Sequence, residues 1–296
     1  MSTIKSYSVG NGDMYYINHN SDNFTIIDCC LPDDVREDVV KDVKRALAGK
    51  GVVRFISTHP DEDHILGLEH LDAELGLLNF YCVKNDVIKE DESDDFKHYC
   101  ALRDSDKAFY IHRGITRRWM NQENDQRRSA GISVTWPVLD NAHFKEALAL
   151  AESGESPNNM SAAMTYRSGD ITFMWMGDLE TDFMDNIADA VSWPRVDILF
   201  AAHHGRHSGR VPHSILDQLK PRIIVIGEAP SRHLHYYGGY ETLTQNSAGD
   251  ITFECDDGKV HIFASEDTYE VTHLDQEDVA GEGEYIGTLS KLTTAK

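Results

Sequence analysis

The sequence predicts an α/β fold: two β-sheets packed face to face with helices on the outside. Three observations predict it. Apolar runs of strand length alternate with one-faced helical patterns. These strand-rich stretches fall into two halves of the chain. Three of the runs end directly in clusters of histidine and aspartate, as expected where functional loops leave a rigid scaffold.

Residues 7–17 read as strand, glycine turn and strand, and residues 23–29 as another strand. Pro32, Asp33 and Asp34 open a helix, because a proline and acids suit the unpaired N–H groups of a first turn. Val35, Val39, Val40, Val43 and Leu47 give that helix one apolar stripe, and Gly49 or Gly51 closes it. The run at 52–57 is a buried strand, followed by a helix at 65–71 and a strand at 79–83. Residues 85–131 turn polar and charged without strand character, and are expected to form a helical insertion. A strand resumes at 132–137, and 141–158 is helix or loop. Strands at 161–167 and 171–176 form a hairpin through Ser168-Gly169-Asp170. Short strands at 196–200 and 222–226 flank a helix at 212–219, and a hairpin turning at Asp256-Asp257-Gly258 closes the fold. Residues 1–265 are thus expected to be one domain, and 266–296 an acidic tail, either flexible or an oligomer contact.

A chain of 296 residues can bury a large core. Its hydrophobic content of 41% and charged content of 26% are those of an ordinary globular protein. No run approaches the apolar length of a membrane span, and the N-terminus lacks a basic-then-apolar signal, so the expectation is a cytoplasmic protein without a membrane partner. The five cysteines show no CxxC pair, which argues against a disulfide framework or a zinc knuckle. A formal net charge of −22 repels nucleic acid and anionic membranes at long range. A polyanionic substrate must therefore meet a locally basic patch, or be small.

The most informative residues are His59-Pro60-Asp61-Glu62-Asp63-His64, directly after the strand at 52–57. In an extended loop alternate side chains point the same way, so His59, Asp61 and Asp63 can converge, with His64 entering from the next helix. Such a set can hold two divalent cations side by side and form a metal-bridged hydroxide for hydrolysis. Two later strands end the same way. Gly177 lets the backbone approach closely, and the Asp178 carboxylate can bridge two metals; His203 and His204 offer further imidazoles. Singly, each of these would be an ordinary turn or a core histidine; three strand-end clusters in one chain favour a site.

These motifs, in this order, resemble those of the metallo-β-lactamase superfamily. Within it the chain looks most like the soluble nuclease-like domain of ComEC-type DNA-uptake proteins. That likeness includes Val9-Gly10-Asn11-Gly12-Asp13, the strand ending Ile26-Ile27-Asp28, and Asn158-Asn159-Met160-Ser161, and covers roughly residues 5–90 and 131–265. The resemblance implies a four-layer αβ/βα sandwich with the site along one edge of the sheets. It implies one metal site from His59, Asp61 and Asp178, and another from Asp63, His64, Asp178 and His203. Asn159 or Ser161 stands where most members supply another histidine, and Asp61 replaces a more usual histidine. Oxygen ligands shift preference from zinc towards manganese or magnesium, so Mn²⁺ is favoured, with Zn²⁺ next and Mg²⁺ compatible.

The function expected is that of a metal-dependent hydrolase, foremost a phosphodiesterase or DNA nuclease. Asp63 would orient the attacking water and accept its proton, while His204 and His207 would stabilise charge on the departing or non-bridging oxygen or serve structure. Arg206 with Arg210 would clamp a phosphate or lie in solvent, and His235, in the run 233–237, would grip substrate or pack a loop. Arg113, Arg117, Arg118, Arg127 and Arg128, with Trp119 among them, form a basic cluster in the insertion, suited either to a nucleic-acid backbone or to pairing with nearby acids. The alternatives are hydrolysis of a small ester, lactone or cyclic nucleotide, and a metal-stabilised binding or oligomer module without turnover.

Overall fold

The computed structural model of the chain describes residues 1–291. One sheet contains β1 (Ser2–Ser6), β2 (Tyr15–Asn18), β3 (Asn23–Ile27), β5 (Val52–Ile56), β6 (Phe80–Cys82), β7 (Ala108–Tyr110), β14 (Ile251–Asp256), β15 (Lys259–Ala264) and β16 (Glu284–Ser290). Its order is β16-β15-β14-β1-β2-β3-β5-β6-β7. The short β4 (Cys29–Cys30) bridges to residues 65 and 66. The other sheet contains β8 (Ile132–Trp136), β9 (Ala163–Ser168), β10 (Ile171–Trp175), β11 (Ile198–Phe200), β12 (Ile223–Ile226) and β13 (Thr242–Thr244), in the order β13-β12-β11-β10-β9-β8. Both sheets are mixed. Pairing is parallel from β3 to β7 and from β10 to β13.

The sheets meet through aromatic side chains. Tyr15 of β2 lies edge-on to Trp175 and Phe200 at 6.0 and 5.0 Å, and Phe253 of β14 meets Phe173 and Phe200 at 5.8 Å. Such edge-to-face pairs add to the burial energy of large rings. Helices cover the outer faces. On the first sheet lie α1 (Arg36–Ala46), α3 (Leu68–Leu75) and α4 (Asp94–Arg103), packed in succession. On the second lie α5 (Ala142–Glu152), α6 (Thr181–Ile187) and α7 (His213–Leu219). Trp136 of β8 is wedged between Phe144 of α5 and Phe183 of α6 at 5.8 and 5.9 Å. The predicted α/β sandwich of four layers is the architecture of the chain. Among the described residues, no helix is long and apolar enough to cross a membrane.

Several elements differ from the sequence expectation. The helix expected at 65–71 is split: α2 (Glu62–Ile65) ends at Leu66, Gly67 turns left-handed (φ 80°), and α3 starts afresh. Asp95 accepts from the Gly67 and Glu69 N–H groups, which caps the new start. The segment 85–131 is helical only in α4, which Ser93 caps through the Phe96 N–H. Ala108–Tyr110 then joins the sheet as β7, and the rest of the segment runs through turns. Its arginines are held by long-range contacts that a local pattern cannot show. The guanidinium of Arg117 stacks 4.0 Å from the Phe109 ring, and that of Arg127 pairs with Asp22 at 2.6 Å. The tail, read as weakly patterned, supplies β16, which pairs with β15 at the sheet edge. Residues 292–296 of that tail lie outside the described residues. Thr242–Thr244 (β13) and the short α8 (Gln245–Ala248) were not anticipated.

Candidate metal centre

Parallel strands deliver the site. Asp28 follows β3, residues 59–64 follow β5, Asp178 follows β10, and His203 and His204 follow β11. Carboxyl ends of parallel strands are where open α/β sheets place their ligand-binding residues. Asp13 arrives from the β1–β2 loop, with its N–H bonded to the Asp63 carbonyl at 3.1 Å. Gly12 is required there, because a Cβ would collide with the Cys30 side chain and the Asp63 carbonyl. Gly177 is required for the same kind of reason: its φ is +53°, and a Cβ would lie 2.8 Å from the Ser161 side chain. Asp28, His203 and His204 also have left-handed backbones, with φ of 57°, 51° and 54°. For non-glycine residues such conformations cost on the order of 1–3 kcal/mol each, and they gather at functional sites.

Four histidines share one design. His64 donates Nδ1–H to Asp28 at 2.9 Å, and His204 donates Nδ1–H to Asp13 at 3.0 Å, since ionised carboxylates only accept. The Thr58 hydroxyl donates to Asp28 at 2.7 Å, so it accepts from His59 Nδ1 at 3.1 Å. His203 Nδ1 meets Ser208 Oγ at 3.1 Å. The Nε2 atoms are therefore the free ends. His64 Nε2 is 3.0 Å from Asp178 Oδ1; His203 and His204 Nε2 are each 3.5 Å from Asp178 Oδ2. His204 Nε2 is also 3.4 Å from Asp63 Oδ2. The His59 and His64 rings are 4.1 Å apart, which brings His59 to the same space.

This donor set fits a metal ion. The Nε2 atoms of His59, His64 and His204 and Asp178 Oδ1 are buried without a hydrogen-bond partner among the described residues. One ligand atom from each of Asp13, His64, Asp178 and His204 lies within 4.8 Å of the others. Buried polar atoms left unpaired are costly, and a shared cation satisfies all of them. Histidine ligands held through Nδ1 by a carboxylate or hydroxyl are the usual support of such sites.

The electrostatics agree. Burial opposes protonation of His64, but Asp178 and Asp28 outweigh it and raise its pKa well above the ordinary value. Burial likewise opposes charge on His204, which Asp13 and Asp178 overcome. Asp178 pays the same desolvation, and His64 and His204 hold its carboxyl well below the usual range. Desolvation also works against Asp63, yet His204, 3.4 Å away, and His64 keep it at about 2. Burial and the neighbouring His64 lower His59 to about 3. Protons thus occupy, at His64 and His204, the place that a metal cation would take.

The structure brings together His59, Asp63, His64, Asp178, His203 and His204, all anticipated from the sequence. Asp61 stands apart. Its Oδ1 accepts from Lys89 Nζ at 3.0 Å and caps α2 through the Glu62 N–H at 3.0 Å. Ser161, read as a substrate contact, is 0% exposed and accepts from the Asp178 N–H at 3.0 Å, so it positions Asp178. Asn159 is spent on Glu180, donating to its carboxylate at 2.9 Å and accepting from its N–H at 3.0 Å. Arg206 and His207 flank His203, and His207 stacks edge-on to Tyr236 at 5.1 Å. His235 is exposed beside that tyrosine. Asp13 and Asp28 were not among the anticipated ligands, although each was visible as an acid ending a noted motif.

No family model matches the sequence, and no curated protein matches it. Solved structures resemble it in fold. Tm1679, a metal-dependent hydrolase of the β-lactamase superfamily, gives a TM-score of 0.49 at 12% identity, over 87% of this chain and 100% of that one. CmlA, a diiron β-hydroxylase from Streptomyces venezuelae, gives 0.49 at 12%, over 86% of this chain. The chain spans 54% of CmlA, about half its length. The metallo-β-lactamase SMB-1, in complex with mercaptoacetic acid, gives 0.40 at 13%, over 68% of this chain and 81% of that one. These are likenesses of fold at low identity. The site rests on its own geometry.

Proposed function

We propose that the chain is a metal-dependent hydrolase of the metallo-β-lactamase superfamily that cleaves phosphodiesters. The observation that carries this reading is the convergence of three imidazole Nε2 atoms, those of His64, His203 and His204, on one buried carboxylate, Asp178, with Asp63 beside them. Asp178, facing His64 with one oxygen and His203 and His204 with the other, is the residue placed to be shared by two ions. His59 and His64 would hold an ion on one side, and Asp63, His203 and His204 on the other. When bound, the ions activate a water and polarise the bond to be broken. Four imidazoles with two carboxylates suit Zn²⁺ at least as well as Mn²⁺, whereas Mg²⁺ prefers oxygen donors.

The protein's own groups do the rest. Asp63, with its side chain 25% exposed, is the most open acid of the set. Its low pKa makes it an ionised acceptor that orients a water at neutral pH. Beside His203 the guanidiniums of Arg206 and Arg232 gather around His207 and His233, whose rings pack on Tyr236 at 5.1 and 5.3 Å. On a chain of net charge −22 this is the locally basic patch that an anionic substrate requires.

One observation favours a small phosphodiester, such as a cyclic nucleotide, over a long DNA strand. Arg127 is anchored at Asp22 and Asn23, the start of β3, whereas the centre follows its end. Five strand residues place these about 16 Å apart, so Arg127 does not extend a basic track into the centre. The test compares linear DNA, RNA and cyclic dinucleotides in Mn²⁺ or Zn²⁺, with wild type and Asp63→Asn. The expected result is metal-dependent turnover of a phosphodiester, lowered on the order of 10²-fold or more in the variant. Equal turnover by both proteins, or hydrolysis only of carboxylic esters or lactones, would contradict the proposal.

A further inference from the structure

The donors around Asp178 are unevenly shared between its two oxygens. Facing Oδ2 are His203 and His204, each at 3.5 Å, with Asp63 3.4 Å from His204. Facing Oδ1 are His64 at 3.0 Å and His59, whose ring is 4.1 Å from that of His64. Counting Asp178 itself, the first side has four donors, the number that closes a tetrahedral shell, and the second has three. The carboxylate missing from the second side is Asp61, two residues from His59 and close enough for its charge to act on that imidazole.

Lys89 keeps that carboxylate elsewhere. Its ammonium binds Asp61 Oδ1 at 3.0 Å, the oxygen that also accepts from the Glu62 N–H, while Oδ2 has no hydrogen-bond partner among the described residues. Lys89 is not a loose surface group. Its side chain is 20% exposed, and its ammonium lies 5.1 Å from the ring of Phe96, a buried residue of α4. The loop that carries it is fixed on both sides. The buried Val87 donates its N–H to Asn85 at 3.2 Å and accepts at its carbonyl from Arg103 at 3.4 Å. Ser93 caps α4 and donates its hydroxyl to Glu62, inside the metal motif, at 2.9 Å. An ammonium held there both occupies a carboxylate that can ligate and repels a cation entering the His59 side.

We propose, resting on the metal reading above, that Lys89 is a positioning residue that makes the two metal positions unequal. By holding Asp61 away from His59 it leaves the His59–His64 side weak, while the side of Asp63, His203 and His204 fills first. The test is equilibrium dialysis of the chelator-treated full chain against rising Zn²⁺, with ions per chain read by elemental analysis. The same series is run with Co²⁺ and read by visible absorption. Wild type is expected to take up one ion first, and the second only at a concentration on the order of 10-fold higher or more, as a neighbouring unit charge implies. Lys89→Met strengthens the second step on the order of 10-fold. With Co²⁺ it also changes the absorption of that step, because Asp61 adds an oxygen ligand. Asp61→Asn in the Lys89→Met background keeps the helix cap and removes both changes. Lys89→Arg keeps a cation on Asp61 and leaves both steps as in wild type. Two equal steps in wild type, no gain in Lys89→Met, an unaltered Co²⁺ spectrum in that variant, or a gain that survives the loss of Asp61 would overturn the proposal. Any of these leaves the metal reading standing. A chain that binds no ion in any variant would contradict that reading, and this proposal with it.

Discussion

Asp178→Asn is expected to empty the metal centre. The wild-type carboxylate faces three imidazoles with its two oxygens, and burial leaves no water to replace it. An amide keeps the shape but removes the charge and turns an N–H₂ towards at least one of those rings. Removing one member of a buried charged cluster costs about 3–5 kcal/mol, a factor on the order of 10²–10⁴ in an equilibrium constant. Metal affinity should fall by that factor, with turnover following it. Metal content after dialysis, measured by elemental analysis, checks this directly. A variant that retains its full complement would show that Asp178 is not shared between ions.

The second large effect is expected at Asp28, a residue that touches no substrate. Its carboxylate accepts three hydrogen bonds, from the Thr58 N–H, the Thr58 hydroxyl and His64 Nδ1, all within 2.9 Å. Those bonds hold His64 in the tautomer that leaves Nε2 bare. Asparagine tolerates the left-handed backbone that Asp28 adopts, so Asp28→Asn tests the carboxylate alone. Its amide can accept on one side only, so the N–H₂ faces either the Thr58 N–H or both the Thr58 hydroxyl and His64. Metal affinity should drop about 10–100-fold, as when such supporting partners are lost elsewhere. Stability of the metal-free chain should fall by about 1–3 kcal/mol from unpaired buried groups. Chemical denaturation and metal titration separate the two effects. An unchanged affinity would mean that Asp28 serves the fold and not the ligand.

Much of this was legible in the sequence for a physical reason. Parallel strands buried on both faces appear as short continuous apolar runs, which made β5, β10, β11 and β12 visible. The residues directly after them are where a buried sheet meets its functional edge, which marked His59, Asp63, His64, Asp178, His203 and His204. What failed were judgements that depend on distant partners. Asp61 has the spacing of a ligand, but Lys89, 28 residues on, occupies it. The arginines of the insertion have helical spacing, but Phe109 and Asp22 hold them in turns. β16 ends an acidic stretch, and its pairing with β15 is a tertiary contact without a local signal. Asp13 and Asp28 end recognisable motifs, yet their service to His204 and His64 exists only in three dimensions.

The donor set around Asp178 is suited to divalent metal. The measurement that tests it most directly is titration of the folded, chelator-treated chain with Zn²⁺ and with Mn²⁺ near neutral pH. It is run calorimetrically in buffers of different ionisation heat. Because Asp178, Asp28 and Asp13 raise the pKa of His64 and His204, both imidazoles carry a proton when metal is absent. Metal must displace those protons. Saturable binding with proton release is expected, with an affinity that rises with pH. A folded chain that binds neither ion, or binds without releasing protons, would contradict it.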